Sequence, residues 1–452
     1  MHLAKLSALA LAMGLAFCAH AATANSPAAT PAELGNSLTP VGAEKAGNAD
    51  GSIPAWDGGL KADAGQLDAK GGYTDPYAAE KPLFSITPAN AGQYSQWLSP
   101  GEQAMLKRYP NTYKINVYPS HRSARLPDEI NAATRDNASQ AKLADGGNGV
   151  LNYRRGVPFP LPTAGVEAIW NHITRYRGGS LERTFSSANV KENGVYSLVR
   201  SQTEMNYAET VDDLPSDANL LYLFKTRVLE PARLSGEAVL SHEPMDQVAE
   251  PRAAWQYIPG QRRVRRAPLI AYDNSARYSD GMVTADSLDG FNGAPDRYDW
   301  KLLGKQELFV PYNSFRLYDR SVKYADILQT GHINPDLARF EKHRVWVVEA
   351  TLKPGARHVY SKRRYYLDED SWNILLGELY DSRGELWRNY QSHAMPYYDK
   401  QFTFEALAAA YDLISGRYFV NGLMNEENTG LKSGQHAKMS DYTPSDLRRW
   451  AK

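Results

Sequence analysis

The strongest structural signal in this chain is a segment of four extended stretches between residues 344 and 390. Each stretch is rich in Val, Tyr, Trp and Leu, and turn sequences such as KPG and SRG stand between them. Such runs, bounded by turn residues, are typical of consecutive antiparallel strands joined by tight hairpins. The segment therefore predicts an antiparallel sheet that the rest of the chain precedes or covers.

Further strand patterns come earlier in the chain. They begin near Val195 and become regular from Asn219, where apolar residues alternate with Lys225 and Arg227. This alternation predicts a strand with one dry and one solvated face. Three more strands are predicted in GEAVLSHEP, RAAWQYIPG and QRRVRRAP, at the spacing of a meander.

Helical periodicity occurs on both sides of the predicted strands. Apolar residues at helical spacing, together with capping residues, predict helices over residues 88–108, 128–143, 163–176 and 403–414. A short helical turn is expected from Thr443. The helix over 163–176 has an apolar stripe wide enough to pack on a sheet.

Two long stretches have little periodicity. Residues 25–87 are rich in Gly, Ala, Pro and Asp, and we interpret them as an arm lying on the body, with a flexible linker as the alternative. The arm interpretation rests on four large residues that a disordered tail rarely carries: Ile53, Trp56, Tyr73 and Tyr77. Residues 269–304 form a Gly-containing connection of the length typical of lids and binding loops.

The N-terminus predicts export. Lys5 precedes an apolar run over residues 6–19, and small residues follow around Ala21, which is the order found in secretory signal peptides. We expect cleavage near Ala21 and a soluble periplasmic product, because no later apolar run reaches about 18 residues. Lipid attachment at Cys18 is the alternative, although Phe17 stands where bacterial lipoproteins have a small residue. After cleavage the chain contains no cysteine.

Composition and motifs exclude several classes of function. Lys plus Arg equals Asp plus Glu at 51 each, so bulk charge gives no reason to expect a nucleic-acid partner. The sequence motifs of serine hydrolases, zinc proteases, P-loop NTPases and dithiol redox proteins are absent. The histidines are scattered, without an i, i+4 pair, so we predict no metal site and no cofactor.

An acidic cluster lies in the long central connection. Its members are Asp286, Asp289, Asp296 and Asp299. Paired carboxylates can perform general acid–base chemistry, but in a Gly-rich loop Asp more often stabilises turns, and we favour the turn interpretation.

A basic cluster lies on one predicted strand and comprises Arg262, Arg263, Arg265 and Arg266. Strand alternation places two arginines on each face, so we expect one pair to lie away from solvent or to meet acidic residues. The alternative is a positive rim for an anionic headgroup or a membrane partner.

The apolar face of the predicted sheet is the candidate ligand-binding site. It can fill an ordinary core or line a slot, and the pattern alone does not decide between these. The predicted ligand-binding residues, with two arginines as a polar rim, are Tyr222, Phe224, Trp255, Tyr257, Arg263, Arg265, Trp346, Val348, Tyr366, Ile374, Leu376 and Trp387.

Five long passages carry a family resemblance: residues 38–60, 158–178, 253–273, 291–305 and 343–388. They resemble the domain of unknown function 1329 family, whose members are often labelled outer-membrane lipoprotein-sorting proteins. The resemblance implies a fold similar to the periplasmic lipoprotein carriers, with an incomplete antiparallel β-barrel around a hydrophobic slot. It also implies work alongside transporters of the resistance-nodulation-division type. It supplies no catalytic residue that can be transferred to this chain.

The expected fold is therefore mainly β (α+β), with a curved antiparallel sheet forming an incomplete β-barrel covered by helices and loops, and a long N-terminal arm. The expected division is a signal peptide over 1–21, the arm and its helices over 22–190, the barrel over 191–400 and a C-terminal helix and tail over 401–452. Within the barrel we expect a lid loop near 270–304.

Three functions remain open at this point. The leading hypothesis is a non-enzymatic periplasmic carrier or chaperone for a lipid, a lipoprotein acyl chain or another hydrophobic molecule, working between an inner-membrane transporter and an outer-membrane protein. The second is an exported hydrolase of a lipid or polymer ester that uses Asp286, Asp296 or His242. The third is a structural adaptor that docks envelope proteins through the N-terminal arm.

Overall fold

The structure is a computed structural model that describes residues 29–267 and 272–452. The predicted signal peptide, its cleavage near Ala21 and the alternative at Cys18 lie outside the described residues. Most strands in the described ranges belong to one 16-stranded sheet, and the other two form a small hairpin.

The strands are β1 (Phe84–Ile86), β2 (Ile115–Val117), β3 (Lys142–Leu143), β4 (Val150–Leu151), β5 (Ser180–Val190), β6 (Tyr196–Tyr207), β7 (Tyr222–Glu230), β8 (Ala238–Glu243), β9 (Ala253–Ile258), β10 (Arg263–Arg266), β11 (Tyr298–Pro311), β12 (Phe340–Leu352), β13 (Lys362–Asp368), β14 (Ile374–Tyr380), β15 (Leu386–Tyr397), β16 (Phe402–Asp412), β17 (Tyr418–Leu423) and β18 (Lys432–Ser433). The helices are α1 (Ala91–Tyr94), α2 (Pro100–Arg108), α3 (Asp128–Gln140), α4 (Gly165–Thr174), α5 (Tyr324–Ile327) and α6 (Pro444–Trp450).

The large sheet is curved and is not closed into a barrel. Its strand order is β1-β2-β12-β13-β14-β15-β16-β17-β5-β6-β7-β8-β9-β10, while β11 also pairs with β12 and β18 with β5. Neighbouring strands are antiparallel except β2 and β12, which meet in parallel at Val117 and Phe340. The predicted fold class, a mainly β protein built on an incomplete barrel, is confirmed.

The four extended stretches of residues 344–390 lie in β12, β13, β14 and β15, and each strand pairs with the next in antiparallel register. The earlier meander is also confirmed, because β7, β8, β9 and β10 pair consecutively. The predictions succeed here because period-2 alternation and turn residues are local signals.

The predicted helix over 403–414 is wrong. Its residues form β16, which lies between β15 and β17. Every residue of β16 is buried, so both faces of the strand are covered and the sequence TFEALAAAY shows no alternation to distinguish it from a helix. Burial between two partner strands overrides the helical preference of its Ala and Leu residues.

The prediction of a solvated face on β7 is also wrong. Lys225 is buried, and its ammonium lies 2.9 Å from a carboxylate oxygen of Glu204 and 3.2 Å from one of Asp446. Asp446 belongs to α6, which the sequence correctly predicts from Thr443. Because α6 packs on β8, β9 and β10, it also covers the outer side of this part of the sheet.

The remaining helix predictions are largely confirmed by α3 and α4. The predicted helix over 88–108 is divided into α1, a 3-10 turn and α2. Pro100 starts the second helix at its first position, and the Ser99 hydroxyl accepts a hydrogen bond from the Glu102 amide. A proline and a capping residue at that point begin a new helix rather than continue the old one.

The N-terminal arm packs on the body as predicted. Ile53 and Tyr73 are buried, and the Tyr77 ring stacks on His121 with centroids 4.1 Å apart. Gly42 has a φ of +90°, and a Cβ there would lie 1.8 Å from the carbonyl oxygen of Pro160. The arm therefore approaches the loop before α4 so closely that only glycine fits.

Candidate functional site

Half of the predicted ligand-binding residues lie in one apolar cluster, which we call the central cluster. Tyr222, Val348 and Ile374 are buried members, and Phe224, Trp346 and Trp387 pack against it half-buried. The structure therefore brings together residues of β7, β12, β14 and β15 on one face of the curved sheet.

Two predicted residues lie on the opposite face. Tyr366 and Leu376 belong to a separate cluster with Val345 and Val347. The reason is a register shift between β13 and β14, where Tyr366 pairs with Leu376 but Leu367 pairs with Ile374. A bulge of one residue reverses the alternation of faces, which the sequence pattern does not reveal.

The other four predicted residues lie near the far edge of the sheet. Tyr257 is buried and Trp255 half-buried in a cluster beneath α6. Arg263 and Arg265 are exposed on β10, the last strand of the sheet. The expectation that one arginine pair lies away from solvent is wrong, because β10 is a four-residue edge strand whose charged side chains reach water on both faces.

The central cluster is filled by side chains of the chain itself. Helix α4 contributes Ile169, Trp170 and Ile173, all buried. A Cβ on Gly165 would lie 2.7 Å from the backbone of Lys301, so the start of α4 rests directly on β11. Phe291 contacts the same cluster with its ring edge-to-face to Trp300 at a centroid distance of 5.0 Å.

Phe291 belongs to the connection between β10 and β11, whose described part, residues 272–297, we call the lid. The predicted loop extended to residue 304, but β11 already begins at Tyr298. Buried apolar residues hold the lid against the sheet: Ala276, Met282, Val283, Phe291 and Ala294.

A first ion pair fixes the lid to the sheet. Asp286 Oδ2 lies 2.6 Å from Arg363 Nη2 and 3.2 Å from His358 Nε2. Burial raises the pKa of Asp286, but the Arg363 charge and the hydrogen bond from His358 outweigh it and lower the pKa to about 2. Asp286 therefore forms a buried ion pair, which the turn-stabilising interpretation did not include, while its Oδ1 accepts a hydrogen bond from the Thr284 hydroxyl of the same loop at 2.8 Å.

A second ion pair fixes the lid to the end of α4. Asp289 accepts from Arg175 Nη2 at 2.6 Å and from Arg177 Nη1 at 2.5 Å. His172 Nε2 lies 2.7 Å from the carbonyl oxygen of Asp289. Burial and the neighbouring Arg175 lower the pKa of His172 to about 3, so a neutral imidazole donates this hydrogen bond. Neither arginine was predicted from the sequence, although the RYR that directly follows an apolar helix is the signal that could have indicated them.

A cleft of about 480 Å³ lies at the rim of the sheet, beside the second ion pair. Its walls come from the β3–β4 hairpin, the end of α4, the β6–β7 connection and the loop after β8. The larger aliphatic side chains of the lining are Val150, Leu151, Leu214, Leu220, Leu221 and Met245. The charged and phenolic lining residues are Tyr153, Arg154, Arg175, Tyr176, Arg177, Tyr207, Glu209, Asp217 and Asp246. Its volume lies within the roughly 300–1,000 Å³ typical of small-molecule sites.

The cleft and the lid share residues at the cleft floor. Arg175 and Arg177 line the cleft and bind Asp289 of the lid. The Tyr207 ring lies edge-to-face to Tyr222 at 5.7 Å, and the Tyr222 hydroxyl bonds Asn292 of the lid. Tyr222 is therefore the predicted residue that connects the cleft to the central cluster.

Glu209 is the titratable acid of the cleft wall. Burial raises its pKa to about 7, although Arg155 and Arg154 act in the opposite direction. The hydroxyl of Tyr207 is buried and has no hydrogen-bond partner among the described residues. The cleft therefore combines apolar lining with polar groups, one of which, the Glu209 carboxyl, changes its charge near neutral pH.

One group of side chains in the described ranges has the composition of a metal site. Ligand atoms of His343, Asp368 and Asp370 lie within 4.8 Å of one another. Both oxygens of Asp370 accept hydrogen bonds from Arg122, at 2.7 and 2.8 Å, and His343 Nε2 lies 3.1 Å from Glu341. Ion pairs of this kind occupy the same lone pairs that a cation needs. The absence of a metal site stays a prediction.

The residues proposed for hydrolysis have separate partners. Asp286 pairs with Arg363, His242 Nε2 lies 2.8 Å from the carbonyl oxygen of Tyr442, and Asp296 lies in a 3-10 turn before β11. No hydrogen bond between any two of these three residues occurs in the part of the chain that the structure describes.

These features define a class of protein with an open, curved β-sheet whose apolar face is covered by a helix and by a lid held through ion pairs. An amphipathic cleft lies where the lid and the sheet meet. The chain belongs to the DUF1329 family, described as proteins of unknown function, whose model matches residues 85–448. The helices in the described ranges are too short or too polar to span a bilayer.

Known proteins similar to this chain include an uncharacterized protein of Pseudomonas aeruginosa, PA3922, which is 53% identical over 420 residues, covering 92% of each chain. A domain from Vibrio parahaemolyticus, assigned provisionally to outer-membrane lipoprotein sorting, matches 61% of this chain and 94% of its own at 16% identity and a TM-score of 0.41. A LolA superfamily protein from Nitrosomonas europaea matches 60% of this chain and 92% of its own at 14% identity and a TM-score of 0.35.

Proposed function

We propose that this protein is a periplasmic carrier that binds a hydrophobic molecule, a lipid or a lipoprotein acyl chain, at the cleft and the lid-covered sheet face. The observation that carries the proposal is the shared structure of cleft and lid. Two of the arginines that line the cleft, Arg175 and Arg177, also hold Asp289, so occupation of the cleft acts directly on the contact that keeps the lid closed.

The proposed route for the cargo runs from the cleft to the central cluster. Tyr207 lines the cleft, Tyr222 contacts it, and Asn292 of the lid bonds Tyr222. When the lid opens, the predicted residues Phe224, Trp346, Val348, Ile374 and Trp387 become the wall of a slot. Burial of about ten methylenes of the ligand supplies on the order of 8 kcal/mol of binding free energy, before the cost of ordering the ligand and the protein is subtracted. This is enough for binding without specific hydrogen bonds to the ligand.

The periplasmic location rests on the signal-peptide pattern of the N-terminus. The ligand-binding roles of Trp255, Tyr257, Arg263, Arg265, Tyr366 and Leu376 receive no support from their positions, since none of them lies in the central cluster or lines the cleft.

Ligand binding is tested with protein purified from periplasm and examined by native mass spectrometry, followed by titration of the delipidated protein with a fluorescent fatty acid. Ala249→Trp places an indole in the cleft from an exposed lining position and should weaken binding at least about tenfold. Ala232→Trp, an exposed residue at the opposite end of β7, is the matched control and should leave binding unchanged. A protein that carries no apolar ligand and takes up no fatty acid would contradict the proposal.

We also propose, as the family resemblance implies, that the carrier works with a transporter of the resistance-nodulation-division type and an outer-membrane protein. The test is in-cell crosslinking from an exposed residue of the lid, Leu288, with mass spectrometry of the products. Recovery of membrane proteins at the same level from a residue on α3, such as Arg135, would show that the crosslinks are unspecific.

A further inference from the structure

The far edge of the sheet carries a concentration of positive charge that the carrier proposal does not use. Arg262, Arg263, Arg265 and Arg266 lie on the β9–β10 hairpin, and all four are exposed. Arg448 and Arg449 are exposed on α6, which packs on β10. Six arginines are therefore concentrated on one surface of a protein whose formal net charge is zero. We call this surface the basic edge.

The hairpin and the end of α6 are close neighbours. A Cβ on Gly236 would lie 3.2 Å from the Pro259 ring and 3.6 Å from the carbonyl oxygen of Ala451. Pro259 begins the β9–β10 turn, and Ala451 follows α6. The arginines of the hairpin and those of α6 thus lie on either side of the contact at Gly236, at the border of the sheet.

The hairpin arginines have no carboxylate partner in the described ranges. The ion pairs there include Arg449 with Asp446 at 3.3 Å but none of the four on the hairpin. Residues 1–28 and 268–271, which the structure does not describe, contain no Asp or Glu. The charge of the four hairpin arginines is therefore not paired with a carboxylate of the chain.

The shape of the basic edge fits a flat, extended anionic surface. Arg263 and Arg265 lie on one face of β10, while Arg266 shares the other face with Val264, which packs beneath α6. Arginines on both faces of an edge strand line the border of the sheet and do not enclose a pocket. Trp255 and Trp450 are half-buried in the same cluster, and aromatic rings beside arginine are typical of membrane interfaces.

We propose that the basic edge docks this protein on an anionic bilayer surface, with arginine guanidinium groups bound to lipid phosphates. Guanidinium groups bind phosphate oxygens with two parallel hydrogen bonds, and basic residues near an anionic membrane add their attraction nearly independently. The β8–β9 loop, which lines the cleft at Met245, joins β9 at Ala253, whereas the β9–β10 turn lies at the other end of β9, so the docking surface and the cleft lie at opposite ends of these strands. The proposal goes beyond carriage and holds whether or not the cleft binds a lipid.

The test is co-sedimentation of the mature protein with vesicles of phosphatidylcholine containing about 30% phosphatidylglycerol, beside vesicles of phosphatidylcholine alone. The wild type should bind only the anionic vesicles, and about 0.5 M salt should remove the binding. Arg263→Gln/Arg265→Gln/Arg266→Gln should weaken it roughly a hundredfold, since each lost charge near the surface costs roughly fivefold. These side chains are exposed, so the thermal unfolding of the variant should match that of the wild type.

The matched variant Arg135→Gln/Lys191→Gln/Arg357→Gln removes the same charge from exposed positions elsewhere and should keep its vesicle binding. An equal loss of vesicle binding in both variants would show that the binding depends only on the net charge of the protein, and would overturn the proposal. Two other results would overturn it. Binding to soluble polyglutamate as tight as to anionic vesicles would indicate an acidic protein partner. Aggregation of the Arg263→Gln/Arg265→Gln/Arg266→Gln variant with unchanged vesicle binding would indicate that the arginines only protect a sheet edge from pairing with another chain.

Discussion

Replacement of Asp286 by Asn should release the lid from the sheet. The substitution keeps the shape of the side chain and removes only its charge. Arg363 is fully buried, and Asp286 is the carboxylate that pairs with it at 2.6 Å. The amide keeps the size of the side chain but leaves the guanidinium as an uncompensated buried charge. Removal of one partner from a buried pair costs about 3–5 kcal/mol. Glu182→Gln removes the partner of the half-exposed Lys432 and should cost at most about 1 kcal/mol.

Two measurements check this prediction. Urea unfolding followed by tryptophan fluorescence gives the loss in the free energy of unfolding. Hydrogen exchange by mass spectrometry over residues 276–294 should become at least about a hundredfold faster, because 3 kcal/mol corresponds to roughly two powers of ten. Further replacement of Arg363 by Met should recover part of the loss. A loss no larger than that of Glu182→Gln would refute the account of the lid as held by a buried ion pair.

The same pair predicts an acid dependence. The pKa of Asp286 is about 2 in the folded protein against an ordinary value of 3.8. A lowered pKa contributes stability that is fully present above the ordinary value and is lost as the pH falls through the folded one. The contribution is about 2 kcal/mol, smaller than the cost of substitution because protonation keeps the hydrogen-bonding carboxyl group. The stability difference between wild type and Asp286→Asn should therefore shrink by that amount between pH 7 and pH 2.

Three further predictions concern the cleft, the arm and α4. The raised pKa of Glu209 means that the wild type loses stability as the pH rises from about 5 to 8, so Glu209→Gln should flatten this decline in thermal unfolding, and an unchanged slope would contradict burial of that carboxylate. Gly42→Ala, where the new Cβ meets the Pro160 carbonyl, should expose the arm to limited proteolysis, whereas Gly51→Ala, with a φ of +74° and open space, should cost only about 1 kcal/mol. Trp170→Ala should lower the free energy of unfolding by about 3–5 kcal/mol in urea titrations, since the buried indole fills the sheet face.

The adaptor hypothesis needs a different test from deletion of the arm. The arm contributes buried residues such as Ile53 to the body, and Arg344 of β12 donates to the carbonyl oxygen of Ala46 at 2.9 Å. Removal of residues 25–82 would therefore destabilise the sheet itself and would not report on partner binding. Charge changes at exposed arm residues, such as Lys61, leave the packing intact.

The amino-acid sequence by itself determined the elements whose signals are local. Alternation and turn residues placed β12 to β15 and β7 to β10, and helical spacing with capping residues placed α3, α4 and α6. Large residues in a Gly-rich stretch indicated that the arm is ordered. These predictions depend on neighbours a few positions apart, whose preferences agree with the final fold.

Only the tertiary structure decided what depends on contacts distant in the sequence. Strand β16 has the composition of a helix and becomes a strand because β15 and β17 bind both of its edges. A one-residue shift between β13 and β14 moves Leu376 to the face opposite Ile374. The lid is held by Asp286 and Asp289 through arginines that lie 77 and 114 residues away. Partners so far apart leave no periodic trace in the sequence, so the closed lid and the cleft beside it emerge only when the sheet brings these charges together.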